Sequence, residues 1–179
     1  MTCTITLAFV NGFSAPWEED LVDAIADVFP GSPTRVSRVS LDIDRYFASE
    51  RGQYNATLIL AGLLRHLPDQ ASKIVGITGV DLFIPVLTFV FGQAQLDGPG
   101  AVVSAFRLRN EYYGLPADEG LRFERTAKEV VHELGHTFGL IHCDDHRCVM
   151  HASTYVEDVD VKGASFCPGC EVLLKALIV

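Results

Sequence analysis

The 179 residues predict an α/β fold in which a mixed, twisted sheet carries packed helices and is followed by a small, irregular C-terminal lobe. Three observations carry this. Apolar runs of strand length alternate with longer stretches of helical period, in the order βαβαβββ and then a helix. Apolar residues make up 49% of the chain and charged residues 21%, enough to build a core within one domain. Four of the five cysteines crowd into residues 143–170, where the periodicity fades.

The elements follow in order. Residues 4–10 read as a first strand. Over residues 17–29, Leu21, Val22, Ile25, Val28 and Phe29 form a helical stripe closed by Pro30 and Gly31. Residues 35–41 alternate through Val36, Val39 and Leu41 as a second strand. Residues 54–67 are an apolar helix stopped by Pro68. Three β-rich runs follow at 73–81, 86–93 and 101–107, separated by Pro85 and by the turn residues 97–100. Residues 121–138 are the clearest helix, and a short last helix is expected at 170–177. The chain divides into an N-terminal lobe at 1–139 and a C-terminal lobe at 140–179.

The net charge of −9 argues against nucleic acid or an anionic membrane as partner and mildly favours cationic peptides. The N-terminal apolar stretch is too short and too polar for a membrane span, and no basic start precedes it, so a cytoplasmic protein is expected. Cys3 stands apart from the cluster and reads as a buried strand residue.

The densest signal is residues 132–142, HELGHTFGLIH, a match to H-E-x-x-H-x-x-G-x-x-H. At this chain's own His, Glu and Gly frequencies it would arise by accident about 3 × 10⁻⁵ times per chain of this length. On a helix, His132 and His136 lie one turn apart on one face, the separation two imidazoles need to share a metal. Phe123, Ala127, Val130, Leu134 and Phe138 take the opposite face and are expected to hold the helix on the sheet. A continuous helix would carry His142 ~15 Å beyond His132 and turn it roughly 80° away. Gly139 resolves this, because glycine adopts the left-handed conformation that ends a helix and lets the chain double back. Three neutral imidazoles leave a fourth zinc position open to water, the arrangement of a catalytic site. Glu133 is then placed to take a proton from that water and pass it to a leaving amine.

Cys143 and Cys148, then Cys167 and Cys170, make two short-spaced pairs. Such a pattern suits a structural zinc that closes loops with no core of their own. Disulfides are the weaker reading without an export signal. A redox pair at Cys167 and Cys170 would leave Cys143 and Cys148 unexplained. His146 and His151 stand by as substitute ligands.

Taken together, HELGHTFGLIH, the adjoining Cys143, Cys148-Val149-Met150 and Cys167-Pro168-Gly169-Cys170 resemble the archaemetzincins, a branch of the metzincin clan of zinc metallopeptidases. The stretch TFVFGQA at residues 88–94 is also similar. The resemblance implies a metzincin-like sandwich with a cleft between two lobes and two zinc ions per chain. It implies that His132, His136 and His142 hold the catalytic zinc, with Glu133 as general base. It further implies that Cys143, Cys148, Cys167 and Cys170 hold the second ion and that Met150 belongs to the Met-turn beneath the metal. A strand bordering the cleft would pair with an extended peptide, and residues 86–93 are the candidate. Some metzincins carry a tyrosine two residues after that methionine; Ala152 stands there instead. The competing reading is a zinc-stabilised binding or regulatory protein with a vestigial site. Glu133 weighs against it, since a module needing only metal has no use for that carboxylate.

Overall fold

The computed structural model describes residues 3–68 and 72–177. The main sheet contains β1 (Ile5–Val10), β2 (Thr34–Val39), β5 (Lys73–Thr78), β7 (Gly92–Ala94) and β8 (Gly100–Ser104). Their spatial order is β2-β1-β5-β8-β7. The first four run parallel, and β7 joins antiparallel to β8 at the edge. A small second sheet, not anticipated from the sequence, joins β3 (Phe47–Ala48), β4 (Gln53–Asn55) and β6 (Leu82–Phe83). The helices are α1 (Glu18–Val28), α2 (Ala56–Leu63), α3 (Glu119–Thr137), α4 (Val156–Val161) and α5 (Pro168–Leu177). None of them is long and apolar enough to cross a membrane.

The parallel strands need crossovers: α1 links β1 to β2 and α2 lies between β2 and β5, whereas β5 reaches β8 through residues 79–99, which hold β6 and β7. Strand β1 is buried along its whole length, and its residues divide by the two-residue period. Ile5, Leu7 and Phe9 pack with Leu21 and Ile25 of α1 and Val130, Val131 and Leu134 of α3. Ala8 and Val10 face the other way, toward Leu63 of α2. The same core that receives α3 also takes Cys148, Val149, Met150, Cys170 and Leu174. The cysteine-rich segment is therefore packed onto the sheet layer through α3.

The stretch at 86–93 departs from expectation. Only Gly92–Ala94 is strand; Val90 makes a single bridge to Leu82. Pro85 sits inside a turn closed by the Leu87 N–H on the Ile84 carbonyl at 3.0 Å, the position where its fixed φ is favoured. The β-rich composition instead serves a loop pinned by side chains. Arg51 donates to the Leu87 carbonyl at 3.1 Å, and Arg107, held by Asp81 at 2.7 and 2.8 Å, stacks over Phe89. The segment expected to be irregular after α3 contains the short helix α4.

Candidate metal centre and cleft

Helix α3 begins at Glu119, two residues before the start expected from sequence, and is capped by Asp118, whose carboxylate accepts the Leu121 N–H at 2.9 Å. It ends in a Schellman turn: Gly139 N–H bonds to His136 O at 2.9 Å and Leu140 N–H to Gly135 O at 3.0 Å. Gly139 adopts φ +100°, which a side chain would resist. The turn brings His142 back to His132 and His136. One nitrogen of each ring lies within 4.8 Å of the others.

Two further contacts set the protonation of these rings. His132 Nδ1 lies 2.8 Å from the Val149 carbonyl, and His136 Nδ1 lies 2.7 Å from the Leu140 carbonyl. A carbonyl only accepts, so both Nδ1 atoms carry the protons and both Nε2 atoms present lone pairs. Those two Nε2 atoms face each other at 3.1 Å. Bare lone pairs at that distance repel; a cation between them removes the conflict. Nitrogens bound to zinc at about 2.05 Å in a tetrahedron would stand about 3.3 Å apart. Burial also holds all three histidines below the usual imidazole range, and the Lys162 ammonium adds to this at each, so they are neutral imidazoles at neutral pH. His132 is buried, His136 partly so, and His142 exposed. His132 and His142 both line the cleft.

The four thiols pass the same test. The sulfurs of Cys143, Cys148, Cys167 and Cys170 lie within 4.8 Å of one another, and Cys143 Sγ to Cys167 Sγ is 3.8 Å. Sulfurs bound to tetrahedral zinc at about 2.3 Å would be about 3.8 Å apart. The backbone N–H of Cys170 holds the Cys167 thiol down to about 7, whereas burial, followed by the neighbouring thiols, raises Cys170. Among the described residues, neither His146 nor His151 joins either group. His151 instead bonds to the Cys143 carbonyl at 2.9 Å.

Met150 is fully buried, and its sulfur occupies the space where a Cβ on Gly135 would lie. Gly135, one residue before His136, is therefore what lets methionine slide under the helix. Glu133 is buried at the wall between α3 and β7. A Cβ on Gly92 would stand 2.6 Å from its Oε1, so glycine at this strand position leaves the carboxylate its place. Burial, with Glu129 nearby, holds the Glu133 carboxyl well above its usual range in the absence of a cation. A nearby divalent ion would reverse that preference.

The cleft over these residues has a volume of about 270 Å³. Residues 87–92 form one wall and Ala152, Ser153 and Thr154 the other, with Glu129, His132, Glu133 and His142 between. Two contributors escaped the sequence reading. Glu129 and Lys162 form a buried ion pair beside His132, and nothing in the motif signals it. The hairpin tip between β7 and β8 is also docked on the end of α3. Asp97 N–H bonds to His136 O at 2.9 Å, and Lys73 Nζ bridges Thr137 O at 2.7 Å and Gly98 O at 3.1 Å.

The chain is similar to several known proteins. The archaemetzincin of Methanocaldococcus jannaschii is 44% identical over 131 residues, covering 73% of this chain and 71% of that one. The crystal structure of an archaemetzincin from Methanopyrus kandleri superposes with a TM-score of 0.85 at 35% identity, over 98% of this chain and 96% of that one. A zinc-dependent peptidase from Methanocorpusculum labreanum gives the same TM-score at 30% identity, over 95% and 99% of the two chains. The profile of Peptidase family M54 matches residues 20–176, and the chain belongs to that family, the archaemetzincin zinc metallopeptidases.

Proposed function

We propose that this chain hydrolyses peptide bonds with one zinc held by His132, His136 and His142, and that Cys143, Cys148, Cys167 and Cys170 hold a second, structural zinc. The observation that carries the reading is the pair of deprotonated Nε2 atoms facing each other at 3.1 Å, with Glu133 lining the same cleft. A zinc ion supplies Lewis acidity there, raising the acidity of water and polarising a carbonyl. Everything else falls to the chain. Val149 O and Leu140 O fix the ring orientations. Glu133 accepts a proton from water at its carboxylate and delivers it to the departing amine nitrogen. The peptide lies along edge strand β7 as a further strand, a shorter platform than the residues 86–93 expected from sequence. Residues 1–139 and 140–179 act as the two sides of a single peptidase domain with the cleft between them. The acidic net charge of −9 fits a peptide substrate and opposes nucleic acid.

A peptide-library digest read by mass spectrometry tests this. Wild type should cleave, and Glu133→Ala should keep the metals and the fold yet lose cleavage, since only the proton carrier is removed. Wild-type turnover in Glu133→Ala would refute the role of Glu133. Elemental analysis should find two zinc ions per chain. The one at the three imidazoles should leave first under chelator. One zinc per chain, with every cysteine open to iodoacetamide in the native state, would remove the second site.

A further inference from the structure

The chemistry proposed above makes no use of the buried charges behind His132. Lys162, the residue that ends α4, has no exposed side-chain surface, and its partner Glu129 is 4% exposed. Lys162 Nζ lies 2.8 Å from Glu129 Oε1, 3.3 Å from the His151 carbonyl and 3.5 Å from His132 Nδ1. The last distance is not a hydrogen bond, because Nδ1 has already given its proton to Val149 O. The ammonium is held against the imidazole by its other two partners.

Those partners lie on the two segments that define the ring's orientation. Glu129 sits on α3 one turn before His132. His151 lies two residues after Val149, whose carbonyl receives the imidazole proton. One cation thus spans the helix that carries the ring and the strand of chain that aims it.

Docking α4 onto α3 does not call for this pair. Arg125 already makes a two-pronged bond to Asp160 at 2.6 and 2.7 Å, and Lys128 Nζ reaches Val159 O at 3.0 Å. A buried ion pair is also a poor substitute for apolar packing where stability is the sole requirement.

We propose that Lys162 and Glu129 are a positioning pair for the catalytic zinc. They fix the spacing between α3 and the Val149–His151 segment so that His132 meets the metal in a single orientation. This rests on reading the three histidines as a zinc site.

The test uses the full chain and the double variant Lys162→Met/Glu129→Gln, which removes both charges and leaves neither buried alone. Zinc affinity at each site is measured by chelator competition, with the four-thiolate site as an internal gauge of folding. The downfield Nδ1–H proton resonance of His132 in the zinc-loaded protein reports the bond to Val149. The expected result is a 10–100-fold loss of affinity at the histidine site, an unchanged cysteine site, and a shifted or broadened Nδ1–H resonance. An unchanged histidine-site affinity and resonance would overturn the proposal. So would an equal weakening of both sites, which would make the pair a brace for the fold. If wild type itself binds no metal at its histidines, the zinc reading fails on that measurement alone, before any variant is compared.

Discussion

Gly92 shows how closely this site is fitted. A methyl group there would meet Oε1, Cγ and Cδ of Glu133 at 2.6–2.8 Å, all of them atoms of one flexible side chain. The carboxylate would yield before the strand did. Gly92→Ala should therefore leave thermal stability and zinc content near wild type and reduce kcat. A loss of ~10-fold or more is expected, since a displacement of about 1 Å at a catalytic group costs up to 10²-fold. Kinetics on any cleaved peptide, set beside a melting curve, would check this; undiminished kcat would show that Glu133 has room to spare. The residues of the HExxHxxGxxH run were legible from sequence because local geometry relates them: the helix pairs His132 with His136, and the turn at Gly139 returns His142. Gly92 was not, because its constraint comes from a side chain 41 positions away, and no local pattern encodes such an approach.

At the scale of elements, α4 is the piece the sequence concealed. Six residues are too few to display a helical period, so its start depends on Asp158. That carboxylate accepts the N–H groups of Tyr155 at 2.9 Å and Thr154 at 2.8 Å, which hold it below the usual aspartate range. A carboxyl with a depressed folded-state pKa contributes stability above its unfolded value, about 3.9, and loses that contribution as pH falls through the folded value. Asp158→Asn should thus unfold at lower urea than wild type at pH 6, and the gap should close toward pH 3. A gap that does not narrow as pH falls below about 3.9 would mean the charge is irrelevant. The long elements, β1, α1, α2, β5, β8 and α3, were readable from composition and period. The strand expected at 86–93 failed because Val, Phe and Thr favour a half-buried surface without specifying a hydrogen-bonded partner. Here that surface is a cleft wall held by Arg51 and Arg107.

For the whole molecule, the adjacency of His142 and Cys143 joins the two metal groups into one assembly. Cys143 N–H bonds to Met150 O at 3.0 Å, and Val149 N–H bonds to Ser165 O at 3.0 Å. The thiolate zinc would fix Cys143 and with it the backbone of His142. Cys167→Ser, far in sequence from α3, should weaken the histidine-site zinc by 10–100-fold as well as its own. Equilibrium dialysis against zinc would decide; an untouched histidine site would make the thiolates a separate staple. The docked hairpin tip bears on motion instead of affinity. Asp97 is an exposed turn residue in a left-handed conformation, the kind of position whose amide ordinarily exchanges with solvent fastest. Its N–H is committed to His136 O, so it exchanges only when the hairpin tip and the end of α3 part. In hydrogen–deuterium exchange, Asp97 should behave as a member of the catalytic helix, slow where its neighbour Leu96 is fast. The edge strand that would receive a substrate and the helix that carries the histidines would then breathe on a single clock.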